Sequence, residues 1–487
     1  QQEFSQSVIF IMFESNISEA GEYMTQYFAW WIVLAFIAHT AFAIFLWTRL
    51  RPVYMPRGRA WVVATALLVA IIGYPLAKQM SRHETTAEGL EAFESRVEPA
   101  VPWQMIVAYH RYTQQLDSMQ DMLTSSSNIA PLKNLKDQQA GLPTTLVLVI
   151  GESTNRGRMH LYGYPRQTTP NLDAMKDQLQ VFDNVITPRP YTIEALQQVL
   201  TFADEENPDL YLKTPSIVSV MKQAGYKTFW ITNQQTMTKR NTMLTTFSEQ
   251  ADEQVYLNNN RNQNARQYDG DVLEPFAKAL GDAAPRKLIV VHLLGTHMAY
   301  QYRYPQSFEK FTGRDGVPAA IDDSKLELYN SYDNAVLYND FVVSSLIKEY
   351  GKADPNGFLL YLSDHGEDVF DSAGHATLGR NEKKPTIPMY TVPFIAYASP
   401  KWRETHDWNF DSIHSRPYSS SNLIHTWAQL AGLSFDELDT TKSLVSLDFK
   451  ARPRLIGDPY AQKGLSDFAI MEKVARQPET PPQVAAQ

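Results

Sequence analysis

The feature that most restricts the fold is an uncharged apolar stretch, residues 27–47, which reads YFAWWIVLAFIAHTAFAIFLW. As an α-helix it would be about 31 Å long, which is enough to cross a bilayer. A chain in lipid must satisfy its own backbone hydrogen bonds, so the stretch has to be helical. Residues 60–77 form a second, shorter stretch, with Trp61 as an interfacial anchor. We predict two transmembrane helices. The alternative is two buried core helices. We favour transmembrane helices, because both stretches are apolar on all sides.

The loop between the two stretches indicates their orientation. It contains four arginines and no acidic residue: Arg49, Arg51, Arg57 and Arg59. The positive-inside rule places such a short loop in the cytoplasm. Residues 1–26 and everything after residue 78 then lie on the outer side, which in a Gram-negative bacterium is the periplasm. The apolar residues 7–13 read as the end of an earlier span, so we expect the transmembrane helical domain, residues 1–79, to be truncated.

Composition limits the class of protein. A chain of 487 residues is too long for one ordinary core, so we expect at least two structural units. It is 44% hydrophobic and 20% charged, as is typical of an ordered protein. Its net charge of -9 argues against a nucleic-acid partner. The absence of cysteine excludes disulfides, thiolate metal sites and a cysteine nucleophile.

Composition also changes along the rest of the chain. Residues 80–142 are mostly polar and end in a linker-like stretch. Within them, residues 101–112 are amphipathic, which predicts either a helix on the membrane surface or an ordinary docked helix. We expect a soluble domain over residues 143–460. Residues 461–487 read as a C-terminal tail with a disordered end.

Short apolar runs separated by helical segments predict the core of the soluble domain. The runs are TLVLVI (145–150), KTFWIT (227–232), KLIVVHLL (287–294), FLLYLS (358–363) and VPFIAYA (392–398). Continuously apolar strands that alternate with helices indicate a parallel sheet covered on both faces. In such a sheet the functional site lies beyond the carboxyl ends of the strands.

Residues suited to metal binding follow three of these runs. Glu152, Ser153 and Thr154 follow the first, GTH with His297 follows the third, and SDHGED with Asp364 and His365 ends the fourth; a later loop supplies His375. Each motif alone is weak, because a single histidine is more often structural. Together, carboxylates and imidazoles without thiolates predict a Zn²⁺ or Mn²⁺ site.

The hydroxyl residues after the first strand suggest a nucleophile. A hydroxyl at a strand-to-helix turn lies where backbone N–H groups favour a phosphate, and a bound metal would lower its pKa. Either Ser153 or Thr154 could attack. Thr154 lies on the same side as Glu152 if the extended conformation continues. The alternative role for both is a plain helix N-cap.

The combination of GEST, LYGYPRQTTPNLD, GTH and SDHGED with a later histidine resembles the phosphoethanolamine transferases of the alkaline phosphatase/sulfatase superfamily. The stretches RPYTIEALQQVLTFA, ITNQQTMT and YDNAVLYND resemble the branch that modifies the lipopolysaccharide inner core at heptose I. The resemblance implies an α/β fold, in which a mostly parallel sheet covered by helices follows a transmembrane helical domain.

The resemblance also implies an activity and a location. Such an enzyme is a multi-pass protein of the bacterial inner membrane with its catalytic domain in the periplasm. It takes phosphoethanolamine from phosphatidylethanolamine and passes it to lipopolysaccharide through a phosphothreonine. By resemblance, Thr154 is the nucleophile, and one or two zinc ions are bound. The implied zinc ligands are Glu152, Thr154, Asp364 and His365.

Further roles follow from the same resemblance. His297 and His375 are expected to bind the phosphoethanolamine group or a second zinc ion, and one of them to protonate the leaving group. Thr192 flanks the nucleophile in relatives, and Arg158 stands where many relatives have an Asp-His pair, so we expect it to bind a phosphate. Two residues near the N-terminus are candidates for the ethanolamine ammonium, although a solvated helix start would also explain them: Asn16 and Glu19.

Several alternatives stay open at this point. The acceptor could be lipid A or another periplasmic glycan, although lipid A-modifying relatives usually carry several cysteines. A phosphoglycerol transferase would differ only in the donor headgroup. A sulfatase is disfavoured, because Thr154-Asn155-Arg156-Gly157-Arg158 lacks the Cys/Ser-x-Pro-x-Arg setting. A membrane-anchored binding protein without activity is a further alternative, although all six expected site positions are filled.

Overall fold

The computed structural model describes residues 29–51, 54–82, 93, 106, 109–110, 113–114, 117, 131–234, 243–258, 268–461 and 464–475. These belong to two compact units, one within Glu3–Gln114 and one within Gln115–Gln487. Several expectations concern residues outside the described ones. They are the ammonium-binding roles of Asn16 and Glu19, the earlier span at 7–13, most of the amphipathic stretch 101–112 and the disordered C-terminal end.

The helices begin and end as follows in the described residues. The α-helices are α1 Trp30–Arg49, α2 Arg57–Leu68, α3 Tyr74–Met80, α4 Pro170–Ala174, α5 Thr192–Val199, α6 Ile217–Gln223, α7 Met243–Glu249, α8 Leu273–Leu280, α9 Asp323–Ala353, α10 Ile387–Tyr390, α11 Pro400–Thr405, α12 Leu423–Leu430 and α13 Phe468–Ala475.

The N-terminal unit contains two apolar helical segments, each long enough to span a membrane by length and composition. The first is α1, with 20 residues. The second runs over 24 residues from Arg57 to Met80, in which a π-helical turn, Val69–Gly73, joins α2 to α3. Pro75 explains this turn, because its missing N–H leaves a carbonyl of the preceding turn without its usual donor. Both segments overlap the predicted spans.

The strands lie in the second unit. They are β1 Lys136–Asp137, β2 Thr144–Gly151, β3 Leu179–Phe182, β4 Val185–Ile186, β5 Lys227–Thr232, β6 Glu253–Tyr256, β7 Arg286–His292, β8 Phe358–Ser363, β9 Asp368–Val369, β10 Leu378–Gly379, β11 Phe394–Ala398, β12 Tyr418–Ser419, β13 Leu433–Ser434, β14 Leu455–Gly457 and β15 Leu465–Asp467.

A seven-stranded sheet in the order β3-β11-β8-β2-β7-β5-β6 forms the centre of this unit. Strands β5, β7, β2 and β8, which correspond to four of the predicted runs, pair in parallel, as predicted. Strand β6, which was not predicted, adds to the parallel part beside β5. The run at 392–398 was grouped with them, but its strand β11 pairs antiparallel with both β8 and β3. The chain leaves β8 at the carboxyl edge and stays there through the β9–β10 hairpin and α10. No crossover carries it back, so β11 has to run in the opposite direction.

Both faces of the central strands are buried, as the continuous apolar runs predict. In β2, Leu146 and Leu148 point to one face and Val147 and Val149 to the other, and all four are 0% exposed. One face packs against α8 and α9 through a continuous apolar core. The 31-residue helix α9 also carries polar residues that reach the end of β2, and these contribute to the site described below.

Two segments expected to lie outside the core are part of the second unit. The end of the predicted linker contains β1, which pairs with β13. The predicted tail begins with β15, which pairs with β14, and continues into α13. Phe468 of α13 is fully buried beside Tyr390. Both segments are short and polar in sequence, and their ordered structure depends on contacts with strands and helices that are distant along the chain.

Because the central strands are buried, shortening one of their side chains should leave a cavity and destabilise the domain. Replacing Leu360 of β8, which is 0% exposed, with alanine should lower the free energy of unfolding by about 2–5 kcal/mol. The same change at Leu447, which is 99% exposed, should alter it by less than about 0.5 kcal/mol. Denaturation of both variants beside the wild type measures the difference. Equal effects at the two positions would contradict the burial of β8.

Candidate metal centre

The site lies at the carboxyl edge of the sheet, where β2 and β8 end side by side. Gly151, the last residue of β2, pairs with Ser363, the last residue of β8. The next residues along each chain segment, Glu152 and Asp364, therefore emerge together. His365 follows at once. The parallel register alone brings these three predicted ligands to one place.

Glu152, Asp364 and His365 form a compact buried cluster. One ligand atom from each lies within 4.8 Å of the others. His365 Nε2 is 3.0 Å from Glu152 Oε1 and 3.3 Å from Asp364 Oδ2. The three side chains are at most 1% exposed. Two carboxylates and one imidazole in this arrangement are a suitable donor set for Zn²⁺.

The charges of the cluster also fit a divalent cation. Burial, and then the adjacent Glu152 carboxylate, raise the pKa of Asp364 well above its usual value. Burial acts in the same direction on Glu152, but the adjacent His365 and then Arg380 outweigh it and hold the pKa of Glu152 well below its usual value. Asp364 Oδ2 is buried and accepts no hydrogen bond from the described residues. A bound cation would offset the repulsion between the two carboxylates and give this oxygen a partner.

The turn after β2 redirects the predicted nucleophile. Ser153 has a left-handed backbone, with φ of 59°, so the extended conformation does not continue and Thr154 is not on the side of the Glu152 carboxylate. The Thr154 hydroxyl donates to the main-chain oxygen of Glu152 at 3.3 Å and lies 3.5 Å from Thr296 Oγ1. Thr154 is 0% exposed. The Ser153 hydroxyl does reach the carboxylate, donating to Glu152 Oε1 at 2.8 Å.

Thr192, expected only to flank the nucleophile, lies in the cluster itself. It is the first residue of α5. Its hydroxyl donates to Glu152 Oε2 at 2.9 Å and lies 3.3 Å from His365 Nε2. Thr192 is also partly exposed, unlike Thr154. The first turn of a helix adds the positive end of the helix dipole to this environment.

Two further charged residues, Arg380 and Glu367, belong to the site and were not among the predicted site residues. Arg380 Nη1 is 2.5 Å from His365 Nε2 and 3.6 Å from Glu152 Oε1. Arg380 Nε lies 3.2 Å from Glu367 Oε2, and Tyr300 donates to the other Glu367 oxygen at 3.1 Å. Glu367 belongs to the SDHGED motif, which was a usable signal. Nothing in the sequence around Arg380 marks it.

The two predicted substrate histidines have different surroundings. The His297 Nδ1 atom is buried and has no hydrogen-bond partner among the described residues. Burial lowers the pKa of His297 to about 3, against the attraction of Glu152, so the ring is neutral and suited to bind a ligand. His375 has φ of 47°, and its Nδ1 lies 2.6 Å from the Phe370 carbonyl. In the described part of the chain, no hydrogen bond or ion pair joins His375 to the cluster.

Arg158 does not have the phosphate-binding role expected of it. Its side chain is 1% exposed and forms ion pairs with Asp333 at 3.0 Å and Asp371 at 3.1 Å. Its guanidinium carbon lies 3.5 Å from the centre of the Tyr329 ring, and its Nη2 donates to the Tyr329 carbonyl. The guanidinium therefore ties the turn after β2 to α9 and to the loop that carries His375. The acids that neutralise it are more than 170 residues away in sequence, so their approach could not be anticipated.

The sheet order and a carboxylate–histidine cluster at its carboxyl edge define a domain of the alkaline phosphatase/sulfatase class. The profile of the Sulfatase family matches residues 144–433. The chain is 56% identical over 472 residues to the phosphoethanolamine transferase EptC of Escherichia coli K12, covering 96% of this chain and 82% of that protein. The chain belongs to the phosphoethanolamine transferases of the sulfatase family.

Two solved structures are similar to this one. The C-terminal periplasmic domain of EptC from Escherichia coli, in complex with Zn, is 59% identical, with a TM-score of 0.69, and covers 70% of this chain and 97% of that one. The integral membrane protein lipooligosaccharide phosphoethanolamine transferase A (EptA) from Neisseria meningitidis is 19% identical, with a TM-score of 0.65, and covers 93% of this chain and 83% of that one. The second likeness shows the shared fold.

The close packing of the GTH segment on the Glu152 turn generates one prediction. Gly295 has φ of 56°, and a Cβ atom there would lie 2.5 Å from the Glu152 carbonyl oxygen. Gly295→Ala should therefore displace Glu152 and lower both the unfolding temperature and the zinc content. Gly313→Ala, where a Cβ atom would meet nothing within 4 Å, is the control. Thermal unfolding and elemental analysis measure both effects. An unchanged zinc content in folded Gly295→Ala would contradict this packing.

The cluster also predicts the effect of removing one ligand. Asp364→Asn should weaken zinc binding by more than about 100-fold, since loss of an outer partner of a metal ligand already costs about 10–100-fold. Competition with a fluorescent zinc chelator gives the affinity. Asp407→Asn, at an exposed position outside the cluster, should bind zinc like the wild type. Equal affinity in the Asp364 variant would place the metal elsewhere.

Proposed function

We propose that this enzyme transfers phosphoethanolamine from phosphatidylethanolamine to lipopolysaccharide, at inner-core heptose I, through a phosphothreonine at a zinc site. The observation that carries the proposal is the contact of the Thr192 hydroxyl with Glu152 and His365. It supplies what a two-step transfer requires, namely a nucleophile in contact with its base and with the metal ligands. Membership of the phosphoethanolamine transferases supports the choice of transferred group.

Thr192 takes the nucleophilic role expected of Thr154. The Thr154 hydroxyl is fully buried and directed to a main-chain carbonyl, where a phosphodiester has no access. The Thr192 hydroxyl faces the ligand atoms and is partly exposed. Ser153 contacts Glu152 but is 0% exposed. Of Ser153, Thr154 and Thr192, only Thr192 combines a hydroxyl in contact with the cluster with a partly exposed side chain.

The chemistry proceeds in two displacements. Thr192 Oγ1 attacks the phosphorus of the donor and gives its proton to Glu152 Oε2, which already accepts its hydrogen bond. The bond from phosphorus to the glycerol oxygen breaks, and diacylglycerol leaves with that proton. The acceptor hydroxyl then attacks the phosphothreonine, and its proton passes to Thr192 Oγ1 as the threonine is released. Each displacement exchanges one P–O bond for another, so no further reactant is needed.

Zinc would be held by Glu152, Asp364, His365 and the Thr192 hydroxyl. When bound, it supplies positive charge that favours the threonine alkoxide and the oxygens of the transferred phosphoryl group. The neutral ring of His297 can bind that group or a second metal ion. His375 retains its expected substrate role as part of the proposal, with Nε2 as the nitrogen directed to a ligand, since Nδ1 is engaged by Phe370.

Membrane attachment supports a lipid donor. Two helices long enough to span the bilayer precede the catalytic domain, and the arginine-rich loop between them is of cytoplasmic type. We propose that the domain lies in the periplasm, the side on which the lipids of the outer leaflet of the inner membrane are accessible. The family resemblance and the absence of cysteine support the lipopolysaccharide core, and not lipid A, as the acceptor.

The proposal predicts which threonine becomes modified. Incubation of the zinc-loaded protein with phosphatidylethanolamine and without acceptor should place one phosphoethanolamine group on the peptide that contains Thr192. Thr192→Ala should show no adduct, whereas folded Thr154→Ala should still form it. Mass spectrometry of proteolytic peptides gives the site. Addition of purified lipopolysaccharide should then discharge the wild-type adduct and place the group on the core oligosaccharide.

Three results would each contradict a different part of the proposal. An adduct at Thr154 would restore the expectation from sequence. An adduct formed from phosphatidylglycerol, and not from phosphatidylethanolamine, would identify a phosphoglycerol transferase. Discharge onto lipid A, and not onto the core, would change the acceptor and leave the covalent step in place.

A further inference from the structure

Arg380 reaches the metal centre through a short hairpin. Strands β9 and β10 pair antiparallel, with Gly379 opposite Asp368. Gly379 has φ of 85°, a conformation that glycine adopts without strain. The turn directs the next residue, Arg380, back toward His365, near which the hairpin began. The same hairpin carries His375 in its loop.

Neighbouring contacts hold Arg380 in place. Its Nε is paired with Glu367, which Tyr300 holds from the other side. Two residues further on, Glu382 forms an ion pair with Arg189, with Arg189 Nε 2.6 Å from Glu382 Oε1. Arg189 lies three residues before Thr192 in sequence. The segment that carries Arg380 is thus joined to the segment that carries the proposed nucleophile.

Arg380 and Thr192 approach the same atom. Arg380 Nη1 lies 2.5 Å, and Thr192 Oγ1 3.3 Å, from His365 Nε2. A phosphoryl group attached to Thr192 Oγ1 would therefore have its oxygens within reach of the guanidinium. In the described part of the chain, Arg380 Nη2 makes no hydrogen bond or ion pair. Donors are available where the charge of a transferring phosphoryl group develops.

We propose that Arg380 binds the non-bridging oxygens of the phosphoryl group in both displacements, a role that rests on the proposed function. A guanidinium is always charged and presents its N–H groups in a planar fork that matches phosphate oxygens. Glu367 fixes the orientation of the fork through Nε. Nη1 lies beside His365 and Glu152, so Nη2 is the group that is available to a phosphate oxygen. Arg380 is thus a catalytic residue, and Glu367 is its positioning residue.

The rival role for Arg380 is a plain counter-charge for the buried carboxylates Glu152 and Glu367. The two roles differ in what they require. A counter-charge needs only one positive charge in the right place, which lysine also supplies. Phosphate binding through the fork needs the second nitrogen, which lysine lacks. Arg380→Lys therefore separates the roles.

The experiment compares zinc-loaded, membrane-anchored wild type, Arg380→Lys, Arg380→Ala and the control Lys384→Ala, which removes an exposed cation from the same segment. Titration calorimetry with inorganic phosphate gives affinity for phosphate without any headgroup. Transfer from phosphatidylethanolamine to lipopolysaccharide gives kcat and KM. Unfolding temperature and zinc content give the structural readouts.

We expect Arg380→Lys to keep the unfolding temperature and zinc content of the wild type. Its phosphate affinity should fall about tenfold or more, and its kcat should fall more than KM rises, because the charge to be bound develops in the transition state. Arg380→Ala should lose at least as much, and Lys384→Ala should lose nothing.

Two results would overturn the inference. One is an Arg380→Lys enzyme with wild-type phosphate affinity and kcat, which would leave only the counter-charge role. The other is loss of phosphate affinity in step with loss of zinc. The proposed function fails separately, if the wild type does not transfer phosphoethanolamine in this assay. The phosphate titration still tests Arg380 in that case, because phosphate carries no headgroup.

Discussion

The structure of the site depends on the proximity of two buried carboxylates. The parallel register of β2 and β8 sets Gly151 opposite Ser363, so Glu152 and Asp364 leave the sheet at the same point. Like charges so close and so buried raise the free energy of the folded chain unless protons, cations or metal ions offset them. The guanidinium of Arg380 supplies a positive charge beside Glu152, and a divalent cation held by the cluster would offset the remaining negative charge.

Buried arginines hold the loops around this centre. Arg158 ties the turn after β2 to α9 and to the loop that carries His375. Arg189 ties the segment before Thr192 to the segment after Arg380. Each pairs with a carboxylate from a distant part of the sequence, and removal of one partner would leave an uncompensated buried charge. These pairs thus fix the relative positions of loops that the sheet alone does not order.

The same principle distinguishes two arginines that are both suited to phosphate by their chemistry. Arg158 lies in the motif after the first strand, but Asp333 and Asp371 already satisfy it. Arg380 lies in an unremarkable segment, yet its guanidinium faces His365 and keeps donors for a ligand. Both residues are arginines, and they differ only in the residues that contact their guanidinium groups. The assignment of function to charged residues therefore depends on the completed set of contacts.

Local sequence patterns were enough to predict the two long apolar helices, the central strands and the cluster residues Glu152, Asp364 and His365. The patterns are apolar length, β-branched runs, and polar residues directly after a strand. The reversed direction of β11, the burial of Arg158, and the approach of Thr192 and Arg380 to the cluster are set by tertiary structure. These depend on loop paths and on contacts between residues tens to hundreds of positions apart, which local pattern does not encode. The left-handed backbone at Ser153 shows the limit most clearly. It turns Thr154 away from the Glu152 carboxylate, and the threonine that contacts this carboxylate is Thr192, 40 residues later at the start of α5.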